Sequence, residues 1–371
     1  MKIIFFLFVF MGLALLLPVL AHAQPTLEVS QDEVLEAKVL EILEEKEIIN
    51  EDGSKIQQQN IKLRGLNDKW RNKEFIFYGI SDFEVLSANA YKKGDKVLAS
   101  AGKNIQGDDV FYIIDYIRRG HLYLLTFIFA AVIILIGRWK GLRALLSLIV
   151  SFLVIIKFIV PRILAGADPL TIGIIGSSII LILIIYITEG FSKKSHLAIF
   201  TVLICLFFTS WLSSVFTSLT KLTGLVHEEA MFLISGGYGN INFKGLLLTA
   251  ILIGTLGILD DVVISQMEAV EQIRKANPKL AKKKIFKMAY KVGNSHLGAV
   301  VNTLFLAYVG ASLPLLLLFS LKQPPFLNFS QVINSEIIAT EIVRTLVGSI
   351  SLALAVPVAT VLGVYCSKDG S

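Results

Sequence analysis

Charge is scarce in this sequence. Only 17% of its 371 residues are Asp, Glu, Lys or Arg, against about a quarter in ordinary soluble domains, which excludes a chain solvated by water along its whole length. Cysteine is scarcer still. Cys205 and Cys366 are the two in the chain, and both fall in apolar stretches, so neither a disulfide framework nor a thiolate metal site is implied. Catalytic patterns are missing as well. "HEEAM" (227–231) starts like a zinc-protease helix but has Met231 where the second histidine belongs, and "DDVVI" lacks a third acid at Ile264. No G-x-S-x-G and no phosphate loop occur. No enzyme and no cofactor are expected.

What is present is apolar: 54% of residues are hydrophobic and the mean hydropathy is +0.70. Met1–Ala23 has the form of a secretory signal, with Lys2, the run "IIFFLFVFMGLALLLPVL" and then "AHA" before Gln24; the alternative is an uncleaved anchor helix. Residues 24–119 should then be exported. They hold 18 acids and 14 bases, a charge of −4, whereas residues 120–371 carry +9 and Lys2 supplies the remainder. That segregation points to membrane topology and not to nucleic-acid binding.

Within the exported part, "QQQNIKLRGL", "EFIFYGI", "DKVLAS" and "DVFYIIDYI" are short runs rich in β-branched and aromatic residues. Turn clusters such as "NEDGS" (50–54), "KKGD" (92–95) and "NIQGDD" (104–109) separate them. A small β-rich domain of the OB-like barrel kind is expected over 24–119, with 34–49 suiting either a strand or a helix.

From His121 onward seven apolar stretches approach the ~20 residues needed to cross a bilayer. They lie near 121–137, 144–160, 170–188, 197–216, 245–264, 296–319 and 343–365. The expected fold is an α-helical integral membrane bundle over 120–371, of about seven transmembrane helices. With an exported N-terminal domain, alternation puts fourteen Lys or Arg in inner segments against four outside: Arg162, Lys221, Lys244 and Lys322. The C terminus is therefore expected in the cytoplasm. The basic stretch 274–291 should adhere to anionic lipid, each lysine contributing about 1 kcal/mol.

Several polar residues stand out against this background. Asp260 and Asp261 sit near the inner end of the fifth stretch, where a carboxylate costs about 2.5–3.5 kcal/mol on insertion scales. Asp261, Ser265, Glu268 and Gln272 would share one helix face, an acidic stripe suited to a cation or proton entrance. His296 should begin the sixth span at similar depth, with Asn302 and Thr303 one to two turns deeper, giving an inner ion or proton site of Asp260, Asp261, His296 and Asn302. Glu341 and Arg344, three apart on the last helix, would make an outer charged gate with Lys157, Glu341 pairing with one or the other cation. Gly236, Gly237 and Gly239 in "GGYG" suggest a flexible or re-entrant turn lining a cavity. They lack the Thr-Val that precedes a potassium filter.

The strings "HEEAMFLISGGYGNINFKG" (227–245), "GILDDVVISQ" (257–266), "HLGAVVNTLFLAYVGASLPLLL" (296–317) and "EIVRTLVGSISLALAVPVAT" (341–360) resemble the YibE/F family of bacterial membrane proteins. The resemblance implies a multi-pass protein of the bacterial cell membrane and carries no catalytic residue across. The leading expectation is a proton- or cation-coupled transporter of a small solute or ion. The alternative is a non-catalytic assembly or sensing protein whose exported domain binds a partner. Expected partners are the bilayer and a homo-oligomer or other membrane protein, with no nucleic acid.

Overall fold

The computed structural model describes residues 33–49, 55–80, 90–103, 109–226, 228–322 and 326–366. The expected signal segment 1–23, the expected turn 50–54 and most of the expected turn 104–109 lie outside them. The chain divides into two compact units, with the boundary between Val132 and Ile133.

The first unit is an antiparallel β half-barrel. Its strands are β1 (Glu33–Ile49), β2 (Lys55–Gly65), β3 (Glu74–Tyr78), β4 (Lys96–Lys103) and β5 (Asp109–Tyr116), in the sheet order β3-β2-β1-β4-β5. The ambiguous segment 34–49 is strand: Leu35, Ala37 and Val39 are buried, a period of two that a helix would scatter over opposite faces. Register shifts between Val39 and Glu41 and between Ile42 and Glu44 bend β1 and curl the sheet. The curl brings the outer strands together, so that Phe75 of β3 stacks on Phe111 of β5 at 4.1 Å and Trp70 meets Phe111 edge-on at 5.1 Å. "KKGD" is a turn as expected, with Gly94 at φ 101° and Asp95 Oδ2 accepting from the Lys92 amide at 2.8 Å. Lys62 and then Arg64 on β2 flank Glu74 and hold its carboxyl down at about 2.

The second unit is helical. Among the described residues five helices are long and apolar enough to cross a membrane, or six if a bent pair counts as one span. The expected spans 121–137 and 144–160 form one helical run, Arg119–Leu164: α1 (Arg119–Val154), one π turn (Ile155–Ile159) and α2 (Val160–Leu164). The run is interrupted at Arg138, which has φ 48° and ψ −125°. A Cβ on Gly141 would stand 2.1 Å from the Ile133 carbonyl oxygen, although residues eight apart in a continuous helix are about 12 Å apart. The chain therefore folds sharply there.

Next come α3 (Pro169–Thr188), α4 (Lys193–Leu219), the short α5 (Glu228–Leu233) and α6 (Phe243–Ala276). Asp168 caps α3, its Oδ2 accepting from the Thr171 amide and hydroxyl, and Asn242 caps α6. The sixth apolar stretch, expected as one straight span, is broken: α7 (Lys282–Ala311) and α8 (Leu313–Ser320) meet at 67°. Pro314, in the first turn of α8, has no amide hydrogen to continue the preceding helix. His296 therefore does not begin its helix but lies fourteen residues inside it, about 21 Å from Lys282. α9 (Phe329–Asn334) and α10 (Glu336–Tyr365) complete the chain. α6 and α10 form the centre, each packing against α4 and α7, with α3 also on α6.

Candidate functional site: two polar chambers on one trio of helices

Glycines and buried side chains fix how α6, α7 and α10 run together. A Cβ on Gly348 of α10 would meet Leu304 of α7 at 3.0 Å and Thr255 of α6 at 3.4 Å, and one on Gly363 would meet Met267 at 3.1 Å. α6 and α10 are thus parallel and α7 runs opposite to them. This trio carries a polar chamber toward each end and an apolar layer between.

The first chamber is a cavity of about 380 Å³ near the start of α6 and α10. Its walls are Gly224, Val226, Glu229, Ala230, Leu233, Phe243, Leu246, Leu247 and Ala250, with Thr340 and Arg344 as the polar groups from α10. Arg344 Nη1 donates to Glu341 Oε1 at 3.2 Å, and both side chains are more than four-fifths buried. The guanidinium also lies over the Tyr308 ring, 5.6 Å from its centre. α5 forms one wall and leads into a π turn, Ile234–Tyr238, in which Gly237 has φ 89°; Gly236, Gly237 and Gly239 are exposed, and none of the three is among the cavity's lining residues. Glu336 Oε1 fastens the preceding loop to the head of α10, accepting from the amides of Thr223 and Gly224 and from the Thr223 hydroxyl.

The second chamber is a crevice of about 70 Å³ toward the other end, lined by Val262, Ser265 and Gln266 of α6, Val356 of α10, and α7 residues that include His296. Gln266 is 4% exposed and ties all three helices. Its Nε2 donates to the Ala289 carbonyl and to Thr360 Oγ1, both at 2.8 Å, and Gly293 leaves no room for a Cβ beside Gln266 Oε1. Between the chambers lie Leu256, Leu259, Leu304 and Leu352, none more than 2% exposed. Ala250 and Val262 are twelve residues apart on α6, and Arg344 and Val356 twelve apart on α10, so each helix separates the chambers by about 18 Å.

The sequence-derived residues distribute unevenly over this frame. Glu341 and Arg344 are brought together; Lys157 is exposed on its π turn and has no ion pair with Glu341 among the described residues. His296 is brought to Ser265, one turn from the exposed Asp261. Asp260 is half-buried, Asn302 is exposed on α7, and neither lines a chamber described here. The expected acidic stripe is occupied by the chain's own cations: Lys194 Nζ lies 2.6 Å from Glu268, 3.3 Å from Glu189 and 3.5 Å from Glu271, and Lys275 pairs with Glu271 at 2.6 Å. Arg274, from the basic stretch, turns inward and donates to the Val364 carbonyl at 2.9 Å. Gln266, Thr340 and Tyr308 were missed by the sequence reasoning, and their signal was slight: single polar groups on apolar helices.

Among the described residues no three His, Cys, Asp or Glu side chains gather as a metal ion would need. A family model described as YibE/F-like protein matches residues 125–369. The chain belongs to the YibE/F-like family. No curated protein and no solved structure matches it. Both chambers lie wholly inside the YibE/F-like region, and the half-barrel precedes it. The four strings that carry the resemblance contribute to the chamber walls, supplying Glu229, Ser265, Gln266, His296 and Arg344.

Proposed function

We propose that this YibE/F-like protein is a multi-pass membrane transporter of a small solute or ion, coupled to protons or cations and performing no covalent chemistry. The chain crosses the bilayer about seven times, the Arg138 break dividing Arg119–Leu164 into two spans. Its N-terminal domain, of OB-like strand order, is exported behind a signal peptide; the C terminus is cytoplasmic in a bacterial cell, and the 274–291 segment rests on anionic lipid. In this orientation the Arg344 chamber faces outward and the His296 crevice inward.

One observation carries the reading: two polar chambers stand about 18 Å apart on the same three helices, closed from each other by packed leucines. A ~30 Å hydrocarbon core spanned by such a pair suits access from alternate sides, and Asp260 and Asp261 beside the inner crevice supply carboxyls for coupling.

Thiol labelling tests it. In a chain freed of Cys205 and Cys366, a cysteine at Ala250 should react with an impermeant reagent from outside only, and one at Ser265 from inside only. Imposing a proton, sodium or potassium gradient should raise one rate and lower the other. Rates indifferent to all three gradients would reject coupled transport.

The alternative, a sensing or assembly protein, draws on Tyr112 and Ile114 of β5, both more than half exposed on the half-barrel. If it holds, deleting 27–118 abolishes function entirely, whereas a transporter retains part of its flux.

A further inference from the structure

The residues lining the Arg344 chamber include two with a buried polar atom that nothing among the described residues satisfies. Arg344 Nε and Thr340 Oγ1 are both shielded from solvent and both lack a hydrogen-bond partner. Thr340 is only 2% exposed. Elsewhere in the bundle the buried Thr209, Thr249, Thr255 and Thr360 turn their hydroxyls onto the carbonyl four residues back, with the buried Thr217 unpartnered like Thr340. Thr340 does not, although the Glu336 carbonyl stands at that position. Leaving such a group unmet costs stability, which a ligand supplying an acceptor would restore. The two residues stand four apart on one helix face, and both line a single cavity.

We propose that this cavity is a binding site for a small monocarboxylate with an apolar body. One carboxylate oxygen accepts from Arg344 Nε–H and the other from the Thr340 hydroxyl, while the body lies against Val226, Leu233, Phe243 and Leu246. The chemistry selects this class. An N–H can only donate, so the ligand must bring an acceptor, and two adjacent donors suit the paired oxygens of a carboxylate. Arg344 already shares its charge with Glu341 and Glu229 stands in the wall, which disfavours dianions such as phosphate. The apolar lining excludes strongly hydrated solutes, and about 380 Å³ lies within the range of small-molecule sites, ~300–1,000 Å³.

The proposal deepens the transport reading and rests on it only for the access of solutes to the chamber. It is tested by calorimetric titration of the full chain in lipid nanodiscs with acetate, butyrate, hexanoate and octanoate, using hexanol and hexylamine as controls. Hexanoate should bind saturably, with hexanol and hexylamine at least about tenfold weaker. Thr340→Val, which removes only an unpartnered hydroxyl and should leave folding intact, weakens hexanoate binding by about tenfold or more, and Arg344→Lys does so too. Hexanol binding as tightly as hexanoate, unchanged affinity in Thr340→Val, or absence of saturable carboxylate binding would each overturn the site. Saturable binding without entry of labelled hexanoate into vesicles upholds the site and removes hexanoate transport alone.

Discussion

Gln266 shows how much of the bundle rests on one amide. It bridges α6 to α7 and α10, and Gly293 is the position that lets the helices close around it, since a Cβ there would stand 2.4 Å from Oε1. Gly293→Ala should destabilise the protein by about 1–3 kcal/mol. Adding Gln266→Ala should recover part of that loss, so thermal melts in detergent will be non-additive; strictly additive melts would show that the two do not touch. Asp168 offers a test with a sign. The Thr171 amide and hydroxyl hold its carboxyl below the usual range, so the cap contributes above the unfolded value, near ~3.9, and is lost as pH falls through the lower folded one. Asp168→Ala should cost about 1 kcal/mol at neutral pH, and the gap in melting temperature should close only in strong acid. Asp260 and Asp261 were conspicuous in the sequence because carboxylates are rare in apolar helices. Gln266 and Thr340 were not, because a lone amide or hydroxyl gives no hint of which neighbours surround it.

At the scale of the element, alternation decided more than propensity. Residues 34–49 hold apolar side chains at spacings that serve a strand or a helix equally, and tertiary pairing on both edges of β1 settled the matter. The stack joining β3 and β5 is what curls that pairing into a half-barrel, so Phe111→Ala should cost about 3–5 kcal/mol and expose 33–116 of the full-length chain to protease at lower temperature than the wild type. The four later strands were legible because their apolar runs were short and punctuated. The apolar helices were legible as apolar length. The fold at Arg138 and the bend at Pro314 were not, since both depend on backbone angles that hydropathy does not register.

For the molecule as a whole, the leucine layer is the feature that the proposed transport requires, since it stands between the two chambers. Leu304→Ala removes the α7 contribution to that layer, and should both destabilise by about 2–5 kcal/mol and let protons leak into vesicles loaded with a pH-sensitive dye. A tight vesicle would place the seal elsewhere. Asp260→Asn with Asp261→Asn should instead leave vesicles tight and abolish pH-dependent flux; unchanged flux from the folded variant would remove the carboxyls from the coupling role. The membrane character and the Glu341–Arg344 pair were readable from composition and i,i+3 spacing. The opposition of two chambers was not, because it arises from parallel packing of helices far apart in the chain, where Thr255 meets Gly348 and Met267 meets Gly363.

α7 is fully buried only at Ile285, Ala289, Gly293 and Leu304. Between Gly293 and Leu304 the half-buried Leu297 and Val300 also pack against the central core, so one face holds the helix along its length. His296 at the crevice and Tyr308 beneath the Arg344 guanidinium are carried on that one element, so displacing it disturbs both ends of the trio at once.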